Sequence, residues 1–103
     1  MRMKYQLILQ WPTRWNWGFN RLVSMEEKLE RRLGNFGVVD GHDMGSGEMN
    51  IFIDTDDPKA AFERAVLILG WWEKRNLKAG YRDFEEDEYT PIYPDGLDRF
   101  SVI

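Results

Sequence analysis

The chain reads EMNIFIDT from Glu48 to Thr55, and this octapeptide constrains the fold more than any other segment. Met49, Ile51 and Ile53 occupy every second position in it. Side chains of a β-strand point alternately to the two faces of a sheet, so this spacing predicts a strand with one buried apolar face. The residues between them are expected on the opposite face.

The residues before this strand predict a hairpin. Two glycines in Met44–Gly47 supply the positive φ that a tight connection needs, and a short strand is expected to begin near Val38. A further alternating segment, Lys4–Trp11, predicts another strand with one buried face. Pro12 is expected to end it, because proline has no amide hydrogen for the strand ladder.

Two segments have the apolar spacing of amphipathic helices. Phe19–Leu33 repeats its apolar residues at intervals of three and four, which predicts the first helix. Asp57-Pro58 is a helix-start signal, with aspartate as the cap and proline at the first helical position. The second helix is expected to continue its apolar stripe to Leu69.

The C-terminal third contains three more extended segments. We expect a strand over Leu77–Phe84, an extended piece over Tyr89–Tyr93 and a final strand over Phe100–Ile103. The element order predicts an α+β fold: a ferredoxin-like βαββαβ antiparallel sheet with two helices on one face and a C-terminal extension strand or hairpin. At 103 residues the chain has the length of a single domain, residues 1–103.

Composition is that of a soluble globular protein. The 43% hydrophobic and 15% aromatic residues are sufficient for a core, and no cysteine is present for a disulfide or a thiolate metal site. Leu7–Leu9 is much shorter than the apolar region of a signal peptide, and no segment approaches the length of a membrane span. A cytoplasmic protein without membrane contact is therefore expected.

Charge is divided unevenly along the chain. Residues 1–40 contain seven Lys/Arg and four Asp/Glu, and residues 41–103 contain seven and fourteen, so the balance changes from +3 to −7. An acidic surface repels phosphate backbones, so we expect a cationic protein partner and no nucleic acid. The densest acidic run consists of Asp83, Glu85, Glu86, Asp87 and Glu88. Such a run is usually a solvated loop, but it can also attract a cationic partner.

A polar cluster surrounds the predicted hairpin turn. His42, Asp43 and Glu48 combine an imidazole with carboxylates, which suits proton transfer or a small ligand. Asp, Gly and Ser are also the residues of which hairpin turns are made, and the segment lacks the regular order of a calcium loop. A structural turn, a binding surface and a catalytic centre therefore stay open, and no metal or cofactor is predicted.

The sheet face away from the helices is a further candidate surface. Its expected members are the residues that alternate with the buried ones along the two strands, namely Gln6, Ile8, Gln10, Glu48, Asn50, Phe52 and Asp54. This face is expected to be open and to meet a partner, a second subunit or solvent. RNA recognition is not expected, because Phe52 is its only aromatic residue and it has no cations.

Five tryptophans are many for so short a chain. Trp15 and Trp17 lie in a loop or helix entry beside Arg14 and Arg21, and Trp71 and Trp72 end a helix beside Lys74 and Arg75. Adjacent residues of a helix point about 100° apart, so at least one of Trp71 and Trp72 is expected at the surface. Tryptophan beside arginine is typical of interface anchors, although large aromatic residues also close the ends of a small core. Both interpretations stay open.

The segment DGHDMGSGEMNIFIDTDDP, residues 40–58, and the opening KYQLILQWP, residues 4–12, resemble a group of small bacterial proteins with no established activity. The likeness covers most of the chain in layout, and GHD-x-GSGEMNIFI-x-TDDP is its specific part. Trp15–Phe19 departs from the more polar entry into the first helix that is typical of the group. The resemblance implies one compact domain and supplies no catalytic residues.

Three functions remain as hypotheses. The leading one is a non-enzymatic protein-binding or regulatory domain, such as an immunity-type inhibitor that neutralises a cationic toxin through acidic and aromatic surface. The second is a small ferredoxin-like enzyme or small-molecule binder centred on His42, Asp43 and Glu48. The third is a structural homodimer that pairs sheet faces or edges.

Overall fold

Five strands form one sheet in the computed structural model, which describes residues 3–13 and 19–102. The strands are β1 (Tyr5–Pro12), β2 (Val38–Gly45), β3 (Glu48–Thr55), β4 (Lys78–Asp83) and β5 (Thr90–Tyr93). Their order across the sheet is β2-β3-β1-β4-β5, and each neighbouring pair is antiparallel. The predicted α+β class and antiparallel sheet are confirmed.

The β2–β3 hairpin is present, with a shorter connection than the sequence predicts. Only Ser46 and Gly47 lie between the strands, and their φ angles are 54° and 84°. Two consecutive residues with positive φ form the type of turn whose twist matches that of antiparallel strands. β2 also contains a bulge between Val39 and Gly41, which leaves Asp40 without an opposite residue on β3.

In the described residues three α-helices connect the strands: α1 (Phe19–Leu33), which a short 3-10 turn (Gly34–Phe36) follows, α2 (Pro58–Val66) and α3 (Trp71–Arg75). α1 has its predicted bounds, and Asp57 caps α2 as predicted, since its Oδ1 accepts a hydrogen bond from the Ala60 amide at 3.1 Å. α2 ends at Val66 rather than at Leu69, because the amides of residues 67–69 bond to carbonyls three residues earlier. None of the helices in the described residues is long and apolar enough to cross a bilayer.

α1 and α2 pack on the same face of the sheet. On that face Leu7 lies opposite Ile53 and Leu9 lies opposite Ile51, and all four side chains are fully buried. They share one apolar cluster with residues of both helices, namely Leu22, Met25, Leu29, Leu33, Ala61 and Ala65. Burial of each large side chain contributes about 1.5–3 kcal/mol, so this cluster is the main source of stability. The predicted orientation of β1 and β3 is confirmed.

The C-terminal segment covers the part of the opposite face around β1 and β4, so the expectation of an open face is wrong there. A Cβ atom on Gly80 of β4 would lie 2.6 Å from the Phe100 ring, which shows that this ring rests directly on the strand. Nearby on the same face, Gln10 Nε2 donates a hydrogen bond to the Ser101 carbonyl at 2.9 Å. The C-terminal segment therefore crosses the face of the sheet opposite to α1 and α2.

This cover corrects two predictions. Ile8, Gln10 and Asn50, which were expected to point outward from an open face, are buried. Residues 100–102 do not form the predicted strand, because they cross over the sheet instead of running along one of its edges. The last residue of that prediction, Ile103, lies outside the described residues. The apolar Phe100 is buried without any strand pairing.

Candidate protein-binding surface

Two adjacent tryptophans on α3 are the most exposed aromatic residues in the part of the chain that the structure describes. Trp71 is 69% exposed and Trp72 is 44% exposed, and their ring centroids lie 5.5 Å apart. The Arg75 guanidinium lies 5.4 Å from the Trp71 ring centroid, within the range of a cation–π interaction. We call Trp71, Trp72 and Arg75 the tryptophan surface. The sequence predicted that at least one of the two indoles is exposed, and both are.

Glu73 fixes α3 against the rest of the protein. Its carbonyl accepts a hydrogen bond from Trp11 Nε1 at 2.9 Å, and its carboxylate accepts one from Arg21 at 2.9 Å. The carboxylate also accepts the Gly70 amide at 2.8 Å, which closes the N-terminus of the helix. A five-residue helix is not stable by itself, so these bonds determine where the two indoles are held.

A cleft of about 400 Å³ opens beside α3. Its charged lining residues are Glu48 from β3, Arg75 from α3 and Lys78 from β4. Because Arg75 also stacks on Trp71, the cleft and the tryptophan surface adjoin. The cleft has the volume of a small-ligand site. Of the three residues predicted to form a polar cluster, His42, Asp43 and Glu48, its lining includes only Glu48.

The cluster predicted around His42 is divided between the two sides of β2. His42 points toward α1, where its Nδ1 lies 2.8 Å from Oε1 of Glu26. Asp43 lies opposite Asn50 and is exposed on the other side of the strand. Glu48 is on that second side too, where it accepts a hydrogen bond from Asn50 at 3.3 Å. The structure does not bring His42 together with the two carboxylates.

Asn50 belongs to a buried polar network instead of an accessible surface. Gln10 Nε2 donates to Asn50 Oδ1 at 3.0 Å and to the Ser101 carbonyl at 2.9 Å. Buried amides need such partners, and here the bonds tie the sheet to the C-terminal segment. Asn50 is fully buried, and its hydrogen bond orients the Gln10 amide that holds that segment.

The acidic run lies at the far end of β4 from the tryptophan surface. Asp83 is partly buried, and its carboxylate lies 3.9 Å from Lys4 Nζ. Residues 85–88, all four of them exposed acids, form the acidic loop between β4 and β5. The six residues of β4 correspond to roughly 20 Å at ~3.3 Å per residue, and they separate the loop from α3. The acidic run and the tryptophans are therefore two surfaces, not one patch.

Two predicted residues, Trp15 and Trp17, lie outside the described residues. Glu73, to which the sequence interpretation gave no role, supports the tryptophan surface, and Arg75, which it noted beside the two tryptophans, belongs to that surface. A signal for Glu73 was present, because a glutamate three residues after the N-cap position, here Gly70, is typical of a capping box. Arg75 follows Trp71 by four residues, the spacing at which helical side chains meet.

Within residues 3–13 and 19–102, no group of three or more His, Asp or Glu side chains is arranged to hold a metal ion. Comparison of the chain with protein-family models, curated proteins and solved structures gives no match. The geometry of the surfaces described above is therefore the basis for a functional proposal.

Proposed function

We propose that the chain is a non-enzymatic protein-binding domain with a regulatory role, and that the tryptophan surface is the centre of its binding site. The observation that carries the proposal is the exposed Trp71–Trp72 pair with Arg75 stacked on it. Tryptophan and arginine are the residues most enriched among those that dominate binding energy at interfaces. Covering apolar area yields about 25 cal/mol per Å², so burial of two indoles favours association.

The support beneath the tryptophan surface also favours binding. Glu73 holds α3 through a helix-capping bond, an ion pair with Arg21 and a hydrogen bond from Trp11. Side chains on a backbone that is already ordered lose less entropy when a partner covers them. The surface therefore meets a partner with its backbone already in position.

The partner that the charge favours is a cationic protein, as an immunity-type inhibitor of a cationic toxin would require. The four exposed acids of the acidic loop and the −7 balance of residues 41–103 support this assignment. Opposite charge accelerates association even where the charged residues lie outside the contact itself. A standard interface covers about 800 Å² per partner, roughly 30 Å across, so a single partner is large enough to reach both surfaces.

We infer that β1 to β4, with α1 and α2, form a ferredoxin-like unit. The order strand, helix, strand, strand, helix, strand along the chain and the order β2-β3-β1-β4 across the sheet support this classification. β5 and the C-terminal segment are then the extension. Because this extension covers the face without helices, binding is assigned to the perimeter of the domain.

The geometry of the described residues gives the two alternative functions less support. A small enzyme or small-molecule binder centred on His42, Asp43 and Glu48 needs these side chains around one cavity, and they lie on the two faces of the β2–β3 hairpin. A homodimer that pairs sheet faces needs a free face, and Phe100 with its neighbours occupies that face.

The test compares Trp71→Ala with wild type in calorimetry against candidate basic toxins and in capture from a native lysate. We expect at least a tenfold loss of affinity, which corresponds to about 1.4 kcal/mol. Phe36→Ala is the matched control, because Phe36 is another exposed aromatic residue with an arginine, Arg64, 4.4 Å from its ring. An equal loss in both variants, or no partner in either assay, would contradict the proposal.

A further inference from the structure

A further pocket lies between α1 and the segment that follows α2, and its chemistry goes beyond the proposed protein-binding function. It has a volume of about 450 Å³ and is lined by Lys28, Arg31 and Arg32 of α1 and by Ile68. Residues three or four positions apart share one face of a helix, so the three cations border the same space. We call this set of four residues the basic pocket.

The acids and the cations of α1 lie on different flanks of the helix. The Glu26 carboxylate lies 2.8 Å from an imidazole on β2, and Glu30, four residues later, shares that flank. Lys28 and Arg32, also four residues apart, share the flank beside Ile68. The basic pocket is therefore separated from most of the negative charge of its own helix.

None of the three cations has an acidic partner among the described residues. The ion pairs found there are formed by Lys4, Arg21 and His42. Glu27, one turn before Arg31, forms no ion pair with it. The residues outside the described ranges include no aspartate or glutamate, so they add no acidic side chain. Three positive charges therefore meet in one pocket without an opposing charge.

The helix terminus accounts for only part of this cluster. Arg31 and Arg32 lie in the last turn of α1, where cations interact favourably with the partial negative charge of the helix C-terminus. Lys28 lies one turn earlier, and like charges four residues apart, as in Lys28 and Arg32, destabilise a helix. An anion in the basic pocket removes this repulsion, so the arrangement favours anion binding.

The backbone around the basic pocket is ordered without a ligand. Leu29 and Leu33 anchor α1 and are fully buried. Ile68 packs against the apolar core, and its amide donates a hydrogen bond to the Ala65 carbonyl at 3.2 Å. Binding to an ordered backbone loses less entropy than binding to a flexible one. Ile68 also supplies an apolar wall for the uncharged part of a ligand.

The charged side chains are suited to a phosphate group. A guanidinium presents parallel N–H donors that match two phosphate oxygens, and the pocket has two of them, Arg31 and Arg32. The ammonium group of Lys28 adds a point charge. Three cations attract an anion with two negative charges more strongly than one with a single charge, because Coulomb energy scales with charge.

The charge of the whole chain favours a small molecule over a nucleic acid. The net charge is −4, and residues 41–103 contain fourteen Asp/Glu against seven Lys/Arg. A nucleic acid extends beyond a pocket of this size and meets acidic surface, which repels its phosphates. A small phosphorylated molecule is confined to the basic pocket and avoids that repulsion.

We propose that the basic pocket binds the terminal phosphate group of a small molecule, carried either as a phosphomonoester or as a diphosphate. Arg31 and Arg32 donate hydrogen bonds to the phosphate oxygens, Lys28 balances the remaining charge, and Ile68 contacts the group that carries the phosphate. The domain thereby has a small-ligand site in addition to the tryptophan surface.

The probes are inorganic pyrophosphate and phenyl phosphate, titrated separately into the full chain at constant ionic strength and followed by the NMR shifts of amides and arginine side chains. We expect shifts centred on residues 28–32 and 68 for at least one probe. The tighter probe identifies which of the two forms of phosphate the pocket takes. Shifts spread evenly over the lysines and arginines of the chain, or no shift with either probe, would overturn the proposal.

Charge-removal variants separate a site from general attraction. Arg31→Gln/Arg32→Gln is expected to weaken binding of the tighter probe at least tenfold. Lys59→Gln/Arg99→Gln removes the same charge outside the pocket and is expected to weaken it less than threefold. All four side chains are exposed, so both variants are expected to fold, which their amide spectra check. Equal losses would show attraction by net charge alone and would overturn the proposal.

A charge-conserving variant and a polymer test the class of ligand. Arg31→Lys/Arg32→Lys keeps both charges without the guanidinium fork and is expected to weaken binding at least threefold. Unchanged affinity would contradict the assignment to phosphate. A single-stranded oligonucleotide without a terminal phosphate is expected to bind more weakly than the tighter probe at the same salt concentration. Tighter binding that Arg31→Gln/Arg32→Gln abolishes would assign the surface to nucleic acid and overturn the proposal.

Discussion

The two faces of the sheet are buried by different means. On one face, α1 and α2 cover Leu9 and its neighbours with a continuous apolar cluster. On the other, the Phe100 ring lies on Gly80, the residue opposite Ile8, beside a polar network that includes Asn50. Both faces are thus occupied from within the chain. The partner contacts that we propose therefore lie on α3 and the acidic loop.

The largest expected effect comes from two neighbouring residues of β1, Ile8 and Leu9, which point to opposite faces and are both fully buried. Leu9→Ala and Ile8→Ala are each expected to lower the free energy of unfolding by about 2–5 kcal/mol, measured by urea denaturation. The Leu9 loss is expected to be the larger, because the helices cannot close around the cavity. If Ile8→Ala changed stability by less than about 0.5 kcal/mol, the second face would be open to solvent.

A methyl group added at Gly80 tests the contact of the C-terminal segment with the sheet. Gly80→Ala is expected to destabilise the protein by about 1–3 kcal/mol, because the new Cβ atom collides with the Phe100 ring. Gly45→Ala is the matched control in a strand, since a Cβ there meets nothing within 4 Å. Thermal melting that showed the same shift for both variants would count against this contact.

Removal of one amide from the buried network is expected to have a moderate effect. Asn50→Ala leaves Gln10 without one of its hydrogen-bond acceptors and should lower the free energy of unfolding by about 1–3 kcal/mol. Asn35→Ala, at an exposed position, should change it by less than about 0.5 kcal/mol. Chemical denaturation of both variants decides whether the network stabilises the second face.

The smallest effect on stability is expected at the tryptophan surface. Trp71→Ala should change the free energy of unfolding by less than about 0.5 kcal/mol, because the indole is 69% exposed. A loss above about 2 kcal/mol would show that this side chain closes the core and would remove it as a binding anchor. The measurement is the same urea titration used for Ile8 and Leu9.

Much of the helix-covered face follows from local sequence. Alternation of Ile51 and Ile53 fixes the register of β3, and Asp57-Pro58 fixes the start of α2. The cover of the second face does not follow, since contact between Phe100 and Gly80 depends on a path of the chain that no local pattern specifies.

The candidate site was predictable in part. Exposure of Trp71 or Trp72 follows from helical geometry. The separation of His42 from Asp43 also had a signal in the sequence, because consecutive residues of a strand point to opposite sides. The distance between the acidic loop and α3 had none, since it depends on the direction of β4 in the sheet.

The central claim is that the C-terminal segment closes the second face of the sheet and leaves partners to the perimeter. Phe100→Ala tests it most directly, by the free energy of unfolding together with amide exchange in β1 and β4. We predict a loss of about 3 kcal/mol and faster exchange in both strands, as expected when a buried ring is removed. Wild-type stability and unchanged exchange would contradict the account.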